Sequence, residues 1–210
     1  MIEAGGHDGI TKSTSLLSSI CLNINILMVE ASSINYNVLK KSRPYDTTIN
    51  AALCTEDFVY MQSSNVNSGE NQVSNKQQGE KVACTSFDKE LHKIESQLGP
   101  GQNLKLIMMV LDIEGHEIQA LEGLKDFKPM KADIETKFGR AAKKEFYEKW
   151  EVDMGFRTKR KNSQNDSMFG FTDVSKYKQS HEILYGARIS VPRTDYRTSV
   201  VSPSYKFYGD

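Results

Sequence analysis

The stretch "EAGGHDGITKS", residues 3–13, decides how the rest of this chain is interpreted. It follows a short apolar start and places three glycines, Gly5, Gly6 and Gly9, before a segment that predicts a helix over 11–20. A glycine turn between a strand and a helix allows backbone N–H groups to approach a bound ligand closely. An ordinary tight turn is the alternative, so the neighbouring stretches must separate the two explanations.

The second informative position is Glu30, which ends an apolar run and lies 21 residues after Gly9. An acidic residue at about this distance from a glycine turn typically accepts hydrogen bonds from the ribose hydroxyls of an adenosine cofactor. The glycine spacing here is G-G-x-x-G, whereas dinucleotide-binding proteins carry G-x-G-x-x-G, so a nicotinamide cofactor fits poorly. A solvated strand end is the alternative explanation of Glu30.

The third informative stretch is "VLDIEGHE", residues 110–117, where Asp112, Glu114, His116 and Glu117 follow the most apolar run of the chain. Open α/β sheets bind their ligands at this edge, where the strands end. A Glu and a His at such a junction have the chemistry to remove a proton from a hydroxyl or to hold a cation. Acidic clusters also cap helices, which is the structural alternative.

Apolar runs alternate with helix-like segments along the chain. The runs that predict buried strands are 1–4, 24–31, 48–54 and 104–113, and the predicted helices are 11–20, 33–41, 86–97 and 115–124. Continuous apolar runs are typical of parallel strands that are buried on both faces. The alternation therefore predicts a parallel sheet with crossover helices.

The C-terminal part predicts a fifth strand at 133–138, a charged helix over 139–154 and an antiparallel hairpin over 155–172. The aromatic residues of that helix share one side and are expected to pack into the core: Phe146, Tyr147 and Trp150. We therefore predict an α/β fold of the Rossmann-like, seven-stranded methyltransferase type. It has a mostly parallel sheet, a C-terminal antiparallel hairpin and helices on both faces.

Composition and charge limit the classes of partner. Lys and Arg total 27, as do Asp and Glu, so no nucleic acid is expected as a partner. Residues 137–161 carry a local excess of positive charge, for which a solvated helix face is the usual explanation. No apolar run reaches the length of a membrane span and no secretory signal is recognised, so a cytoplasmic location is expected.

The cysteines and two polar segments complete the expectations. Cys21, Cys54 and Cys84 are widely spaced, without a C-x-x-C pair, and are expected to be free thiols in a reducing compartment. Residues 62–80 predict a long loop. One domain is expected over 1–174, with a C-terminal extension over 175–210. Because only four residues precede the glycines, the first strand is expected to be truncated at its N-terminus.

Five segments resemble, in the same order, the FkbM family of S-adenosylmethionine-dependent methyltransferases. They are "EAGGHDGITKSTSL", "MVEASSINYNVLKKSRP", "INAALC", "VACTSFDKEL" and "LDIEGHEIQALEG". The resemblance covers roughly residues 2–171. It implies a methyl donor, S-adenosylmethionine, bound over the ends of the first two strands, and a small-molecule methyl acceptor.

The resemblance also implies roles for individual residues. Those implied to bind the cofactor are Glu3, Gly5, Gly6, Asp8, Gly9, Glu30, Ala31, Asn50, Ala51 and Asp112. Among them, the glycine turn and Asp112 are implied near the methionine part, Glu30 at the ribose, and Asn50 with Ala51 near the adenine. His116 and Glu114 are implied beside the transferable methyl as candidate catalytic bases. His7 is a further candidate base, with the alternative that it caps the helix over 11–20, and no metal ion is expected.

The function that the resemblance implies is O-methylation of a hydroxyl or carboxyl on a small molecule or sugar. Two alternatives stand beside it. One is a non-catalytic or truncated binding module with the same fold. The other is a nicotinamide oxidoreductase, which the glycine spacing disfavours; Tyr36 and Lys40 have the Tyr-x-x-x-Lys spacing but follow Glu30 on the second helix, which is the wrong place.

Overall fold

The structure, a computed structural model, describes residues 1–11, 13–62, 72–74, 78–135, 141–155, 157–162 and 166–170. All of them belong to Met1–Thr172, one of the two units into which the chain divides. The predicted extension over 175–210 lies outside the described residues, so its boundary stays a prediction.

The described residues form eleven strands and five helices. The strands are β1 (Ile2–Ala4), β2 (Leu27–Glu30), β3 (Thr47–Asn50), β4 (Ala52–Leu53), β5 (Phe58–Gln62), β6 (Gln72–Ser74), β7 (Glu80–Thr85), β8 (Met108–Leu111), β9 (Lys131–Glu135), β10 (Arg157–Asn162) and β11 (Asp166–Gly170). The helices are α1 (Leu16–Leu22), α2 (Ser33–Ser42), α3 (Phe87–Glu95), α4 (Glu117–Glu122) and α5 (Ala141–Met154).

Five parallel strands make the central sheet, in the order β9-β8-β1-β2-β3. Along the chain, β2 and β3 are added to the sheet on one side of β1. The later strands β8 and β9 are added on the other side of β1. The strand order therefore reverses between β1 and β8, and a crevice forms at the carboxyl ends of such neighbours. The predicted α/β class with a mostly parallel sheet is confirmed.

The main core lies around this sheet. Every residue of β1 and β2 is buried, as expected of strands covered on both faces. Tyr147 and Trp150 of α5 are buried in the same core cluster, and Phe146 packs against it. The predicted core role of these three aromatic residues is therefore confirmed.

Several predicted boundaries shift. The helix predicted over 11–20 begins only at Leu16, with Ser15 as its N-cap residue, and it ends at Leu22, because the left-handed backbone of Asn23 (φ 52°) stops it. As a result, β2 begins at Leu27, later than the apolar run that starts at residue 24. The helix predicted over 86–97 begins at Phe87, and Ser86 is its N-cap residue, accepting a hydrogen bond from the N–H of Lys89.

A second, smaller sheet lies beside the central one, in the order β4-β7-β5-β6. The strand predicted over 48–54 is in fact two strands, because β3 pairs with β2 whereas β4 pairs with β7. The loop predicted over 62–80 contains β6 and the start of β7, while 63–71 and 75–77 lie outside the described residues. The sequence pattern did not predict this sheet.

The expectation that all three cysteines are free thiols is wrong. Cys54 and Cys84 form a disulfide with a Cα–Cα distance of 5.3 Å, and Cys21 is free and exposed. Their spacing of 30 residues suggested no pairing, because only the pairing of β4 with β7 brings them together. The disulfide removes the argument that cysteine usage provided for a reducing compartment.

Two further strands follow α5. β10 and β11 pair antiparallel with each other, and β11 also pairs antiparallel with β9. The turn residues 163–165 between them lie outside the described part of the chain. Among the described helices, none combines the length and apolar character that crossing a membrane requires.

Candidate functional site

A cavity of about 600 Å³ opens at the carboxyl ends of β1, β2 and β8. Its walls come from the glycine turn after β1, from Glu30 and Ala31 after β2, and from Asp112 and the residues that follow β8. Residues 51–53 and two side chains of the small sheet complete it. The volume is in the range of small-molecule sites, and the fold unites all three stretches that the sequence singled out.

The turn after β1 requires glycine at position 5. The backbone of Gly5 has φ +82°, and a Cβ atom there would lie 1.7 Å from the carbonyl oxygen of Asp112. The N–H of Gly5 donates to the carbonyl of Val29 at 3.0 Å. Gly5 thus allows the ends of β1, β2 and β8 to approach one another at the floor of the cavity.

Glu3 holds the segment before α1. Its side chain is buried, and the N–H groups of Thr14 and Ser15 donate to its carboxylate at 2.8 and 3.2 Å. The hydroxyls of Ser13 and Ser15 donate to it as well. Residues 13–15 therefore wrap around a carboxylate instead of forming a helical turn, which explains the late start of α1. Glu3 also lines the cavity, as its predicted place near the cofactor requires.

Arg43, which no sequence pattern singles out, holds the segment between the glycine turn and α1 in place. It is fully buried, and its Nε–H donates to Asp46 Oδ2 at 2.7 Å. Its Nη1–H donates to the carbonyl of Gly9 at 2.9 Å, and Nη2–H donates to Ser15 Oγ at 3.1 Å. The Asp46 carboxylate compensates the buried charge of Arg43, and the hydroxyls of Ser13 and Ser15 accept from Arg43 and donate to Glu3.

Gly9 and Asp8 lie outside the lining of the cavity. Gly9 has φ +76°, and a Cβ atom there would meet Leu39 and Arg43 at 2.7 Å, so this glycine is needed for packing against α2. The carboxylate of Asp8 accepts the N–H groups of Ile10 and Thr11 at 2.9 and 2.7 Å. Burial acts to raise the pKa of Asp8, but these hydrogen bonds outweigh it and leave the pKa lowered. Both residues shape the turn from its outer side.

Glu30 is buried at the end of β2 and lines the cavity. The N–H of His7 donates to its Oε2 at 2.8 Å, and the N–H of Ser32 donates to its Oε1 at 2.9 Å. Burial raises the pKa of the Glu30 carboxyl, against the lowering effect of these two donors. The structure thus fixes a carboxylate beside the glycine turn, and the side chain of Asn35 also hydrogen-bonds to it.

Asn50 and Ala51 differ in position. Asn50 is outside the lining, and its Nδ2 donates to the carbonyls of Glu30 and Ala31 at 2.9 and 3.0 Å. It therefore fixes the backbone that carries Glu30. Ala51 is buried and lines the cavity, as do Gly6 and Ala31.

The loop after β8 brings Asp112, Glu114 and His116 to the cavity. Glu114 has a left-handed backbone (φ 56°), which is sparsely populated for a residue with a side chain. Glu117 stabilises this loop, because its carboxylate accepts the N–H groups of Ile113 and Gly115 at 3.2 and 2.9 Å. Glu117 is 2% exposed, so it acts as a support rather than as a ligand contact.

Three carboxylates meet at this end of the cavity. Oxygens of Asp112, Glu114 and Glu135 all lie within 4.8 Å of one another. Glu135 was missed by sequence reasoning, since it ends β9, whose neighbour in the sheet is β8. Carboxylate oxygens are ligands that Mg²⁺ and Ca²⁺ accept, and their negative charge also attracts organic cations.

His7 does not cap a helix at residue 11, because α1 begins later. Its backbone is left-handed (φ 47°), which directs its N–H to Glu30, and its side chain is half-buried at the cavity. Its Nδ1 lies 3.7 Å from Asp8 Oδ1. The capping explanation is therefore wrong, and His7 instead connects the glycine turn to β2.

The described lining of the cavity is acidic. Its ionisable residues are Glu3, Glu30, Asp112, Glu114, His7 and His116, and the described lining holds neither lysine nor arginine. Such a lining favours a cationic or neutral ligand over one with several negative charges.

Comparison with known proteins identifies no family for this chain. No family model matches the chain, and a search of curated proteins finds no significant match.

Proposed function

We propose that the chain is an S-adenosylmethionine-dependent methyltransferase that methylates a hydroxyl or carboxyl of a small molecule or sugar. The observation that carries the proposal is the buried carboxylate of Glu30, fixed at the end of β2 next to a glycine turn and a cavity. A carboxylate in this place accepts hydrogen bonds from both hydroxyls of an adenosine ribose. The resemblance of the sequence motifs to the FkbM family supports the same conclusion.

We propose, too, that the sheet is the Rossmann-like, seven-stranded sheet of methyltransferases, with β10 and β11 as its C-terminal hairpin. The order β10-β11-β9-β8-β1-β2-β3 supports this proposal. It places the reversal of strand order between β1 and β8, where the cavity lies. In this arrangement the methionine part of the donor lies over Gly5, and its adenine lies beside Ala51.

The charge of the cavity supports a sulfonium donor over a dinucleotide. S-adenosylmethionine carries a positive sulfonium, which Asp112 and Glu114 attract. A nicotinamide dinucleotide carries a pyrophosphate with two negative charges, and the described lining offers no cation to receive it. The acidic lining therefore adds a physical reason to the unfavourable glycine spacing.

Methyl transfer is an in-line displacement at a carbon that already has a good leaving group, so the protein mainly aligns the reactants and removes the acceptor's proton. His116 and Glu114 line the cavity at the end of β8 and are the residues we assign to proton removal. His116→Ala should lower kcat by about 10²-fold or more and leave binding of S-adenosylhomocysteine unchanged. If His116→Ala lowered the affinity for S-adenosylhomocysteine by as large a factor as it lowered kcat, His116 would instead be a cofactor-binding residue.

Calorimetric titration with S-adenosylhomocysteine tests the proposal. We expect micromolar binding by the unmodified protein, no binding of NAD, and affinity lower by about tenfold or more in Glu30→Gln, which replaces a charged acceptor. Glu95→Gln, the same substitution on α3 and outside the cavity lining, is the matched control and should bind normally. Circular dichroism confirms that each variant is folded. A folded protein that binds NAD but not S-adenosylhomocysteine would reject the proposal.

A non-catalytic module with the same fold is the second candidate. Such a module binds S-adenosylhomocysteine but transfers no methyl group. A screen of hydroxyl and carboxyl acceptors with methyl-labelled S-adenosylmethionine separates the two candidates. Labelled product that disappears in His116→Ala identifies the enzyme.

A further inference from the structure

One wall of the cavity belongs to the small sheet that carries the disulfide. Met61 of β5 and Val73 of β6 line the cavity, together with Ala52 and Leu53 of β4. Cys54 follows Leu53 directly, so one sulfur of the disulfide is adjacent in sequence to the cavity wall. The disulfide is therefore directly beside the cavity wall.

Few buried side chains support this wall of the cavity. A satellite cluster separate from the main core has five buried residues, Ala52, Cys54, Val59, Met61 and Val82. Cys84 packs against the same cluster, so both sulfurs belong to it. A core of this size contributes little burial, and the disulfide is consequently a large share of what holds it together.

The backbone connections of the wall are also few. β4 pairs with β7 through only two residue pairs, Ala52 with Cys84 and Leu53 with Thr85. The N–H of Cys54 donates to the carbonyl of Thr85 at 3.1 Å, next to the disulfide. In the described part of the chain, the strand partners of β5 are β7 and β6 alone. Loss of the disulfide therefore removes the cross-link that reinforces the two-residue pairing of β4 with β7.

We propose that the Cys54–Cys84 disulfide is a redox-sensitive clamp that holds the small sheet against the cavity, so that its reduction opens this wall and weakens ligand binding. A dithiol supplies the two electrons and two protons. Its thiolate attacks Cys84, which is half-buried whereas Cys54 is buried. The protein S–S bond breaks, two cysteine thiols form, and the dithiol closes to its own disulfide.

The effect on binding rests on the proposed function, since the wall formed by Ala52, Leu53 and Met61 is next to Ala51, where the adenine of the donor is placed. The opening of the wall itself does not rest on it. The two parts are therefore measured separately, one by amide exchange and one by ligand binding.

The experiment compares the purified protein before and after treatment with dithiothreitol, in a Cys21→Ser background that removes the one free thiol. Thiol titration should find no free thiol before treatment and two after it. Amide exchange in β5 and β7 should accelerate by about tenfold or more on reduction, because local opening exposes those amides, while exchange in β9 should stay the same. Affinity for S-adenosylhomocysteine should fall by a similar factor.

The double variant Cys54→Ser, Cys84→Ser should match the reduced protein and should not respond to dithiothreitol. Faster exchange in β5 and β7 without any binding of S-adenosylhomocysteine by either form would uphold the clamp and reject the methyl donor. Normal binding by both forms with unchanged exchange would overturn the clamp. Two free thiols before treatment would overturn it as well.

Discussion

At the scale of single residues, Gly5 shows how backbone geometry builds the site. Gly5→Ala places a Cβ atom 1.7 Å from the carbonyl oxygen of Asp112 at φ +82°, so both strain and a clash arise. We expect it to lower the free energy of unfolding by about 3 kcal/mol or more, or to prevent folding. Gly101→Ala is the matched control, because Gly101 has φ +79° with no atom within 4 Å.

The control should cost only the strain, about 1 kcal/mol. Urea denaturation of the two variants and the unmodified protein measures the difference. Equal losses for Gly5→Ala and Gly101→Ala would contradict the close approach of β1 to β8.

Asp8 gives a pH-dependent prediction. Its pKa is lowered in the folded protein from the ordinary value of 3.8, because its hydrogen bonds outweigh burial, so its carboxylate stabilises the fold above that pH. Asp8→Asn should therefore lose about 0.5–1 kcal/mol at pH 7, an amount kept small by solvent exposure. The difference should shrink as the pH falls through the lowered pKa. Denaturation at pH 7 and near pH 3 measures it, and a constant difference would contradict the assignment.

At this scale the sequence allowed prediction wherever a residue's role follows from its own chemistry and its neighbours. Gly5, Glu30 and Asp112 all reach the cavity, as expected for a glycine turn and for acids at strand ends. Arg43 and Glu135 were missed, because their roles depend on contacts with residues distant in sequence. A buried arginine has the same local pattern as an exposed one.

At the scale of elements, Arg43 connects α2 to the glycine turn. Arg43→Met should lower the free energy of unfolding by about 3–5 kcal/mol, since it leaves the buried carboxylate of Asp46 without its cation and removes the donor to Ser15 Oγ. Lys40→Met, in the last turn of the same helix and exposed, is the control and should change stability by no more than about 0.5 kcal/mol. Thermal and urea denaturation compare them. Similar effects of the two substitutions would contradict the buried network.

The elements were predictable where the hydrophobic pattern is local. The strands and helices of the central sheet overlap the predicted runs, but some ends differ by several residues: β9 begins at Lys131, before the predicted 133–138, and α1 extends to Leu22, beyond the predicted 11–20. The start of α1 moved because the carboxylate of Glu3 binds residues 13–15. The small sheet was not predicted, because β4 has two residues and its pairing with β7 joins positions about 30 apart, which no local period reveals.

At the scale of the whole molecule, the parallel sheet determines where the acidic cavity lies. The strand order reverses between β1 and β8, and the cavity lies at the carboxyl ends of these two strands. The sequence predicted the edge of the sheet where the site lies, but the wall provided by the small sheet follows only from the folded structure. In the proposed complex, S-adenosylmethionine contacts both the edge of the central sheet and the wall from the small sheet.

A crystal structure of the protein grown with S-adenosylhomocysteine tests the central claim most directly. The account predicts the ribose hydroxyls within hydrogen-bond distance of the Glu30 carboxylate, the homocysteine part over Gly5, and the adenine beside Ala51. The sulfur should face Asp112 and Glu114. A ligand bound elsewhere, or an empty cavity at a ligand concentration that saturates binding in solution, would contradict the account.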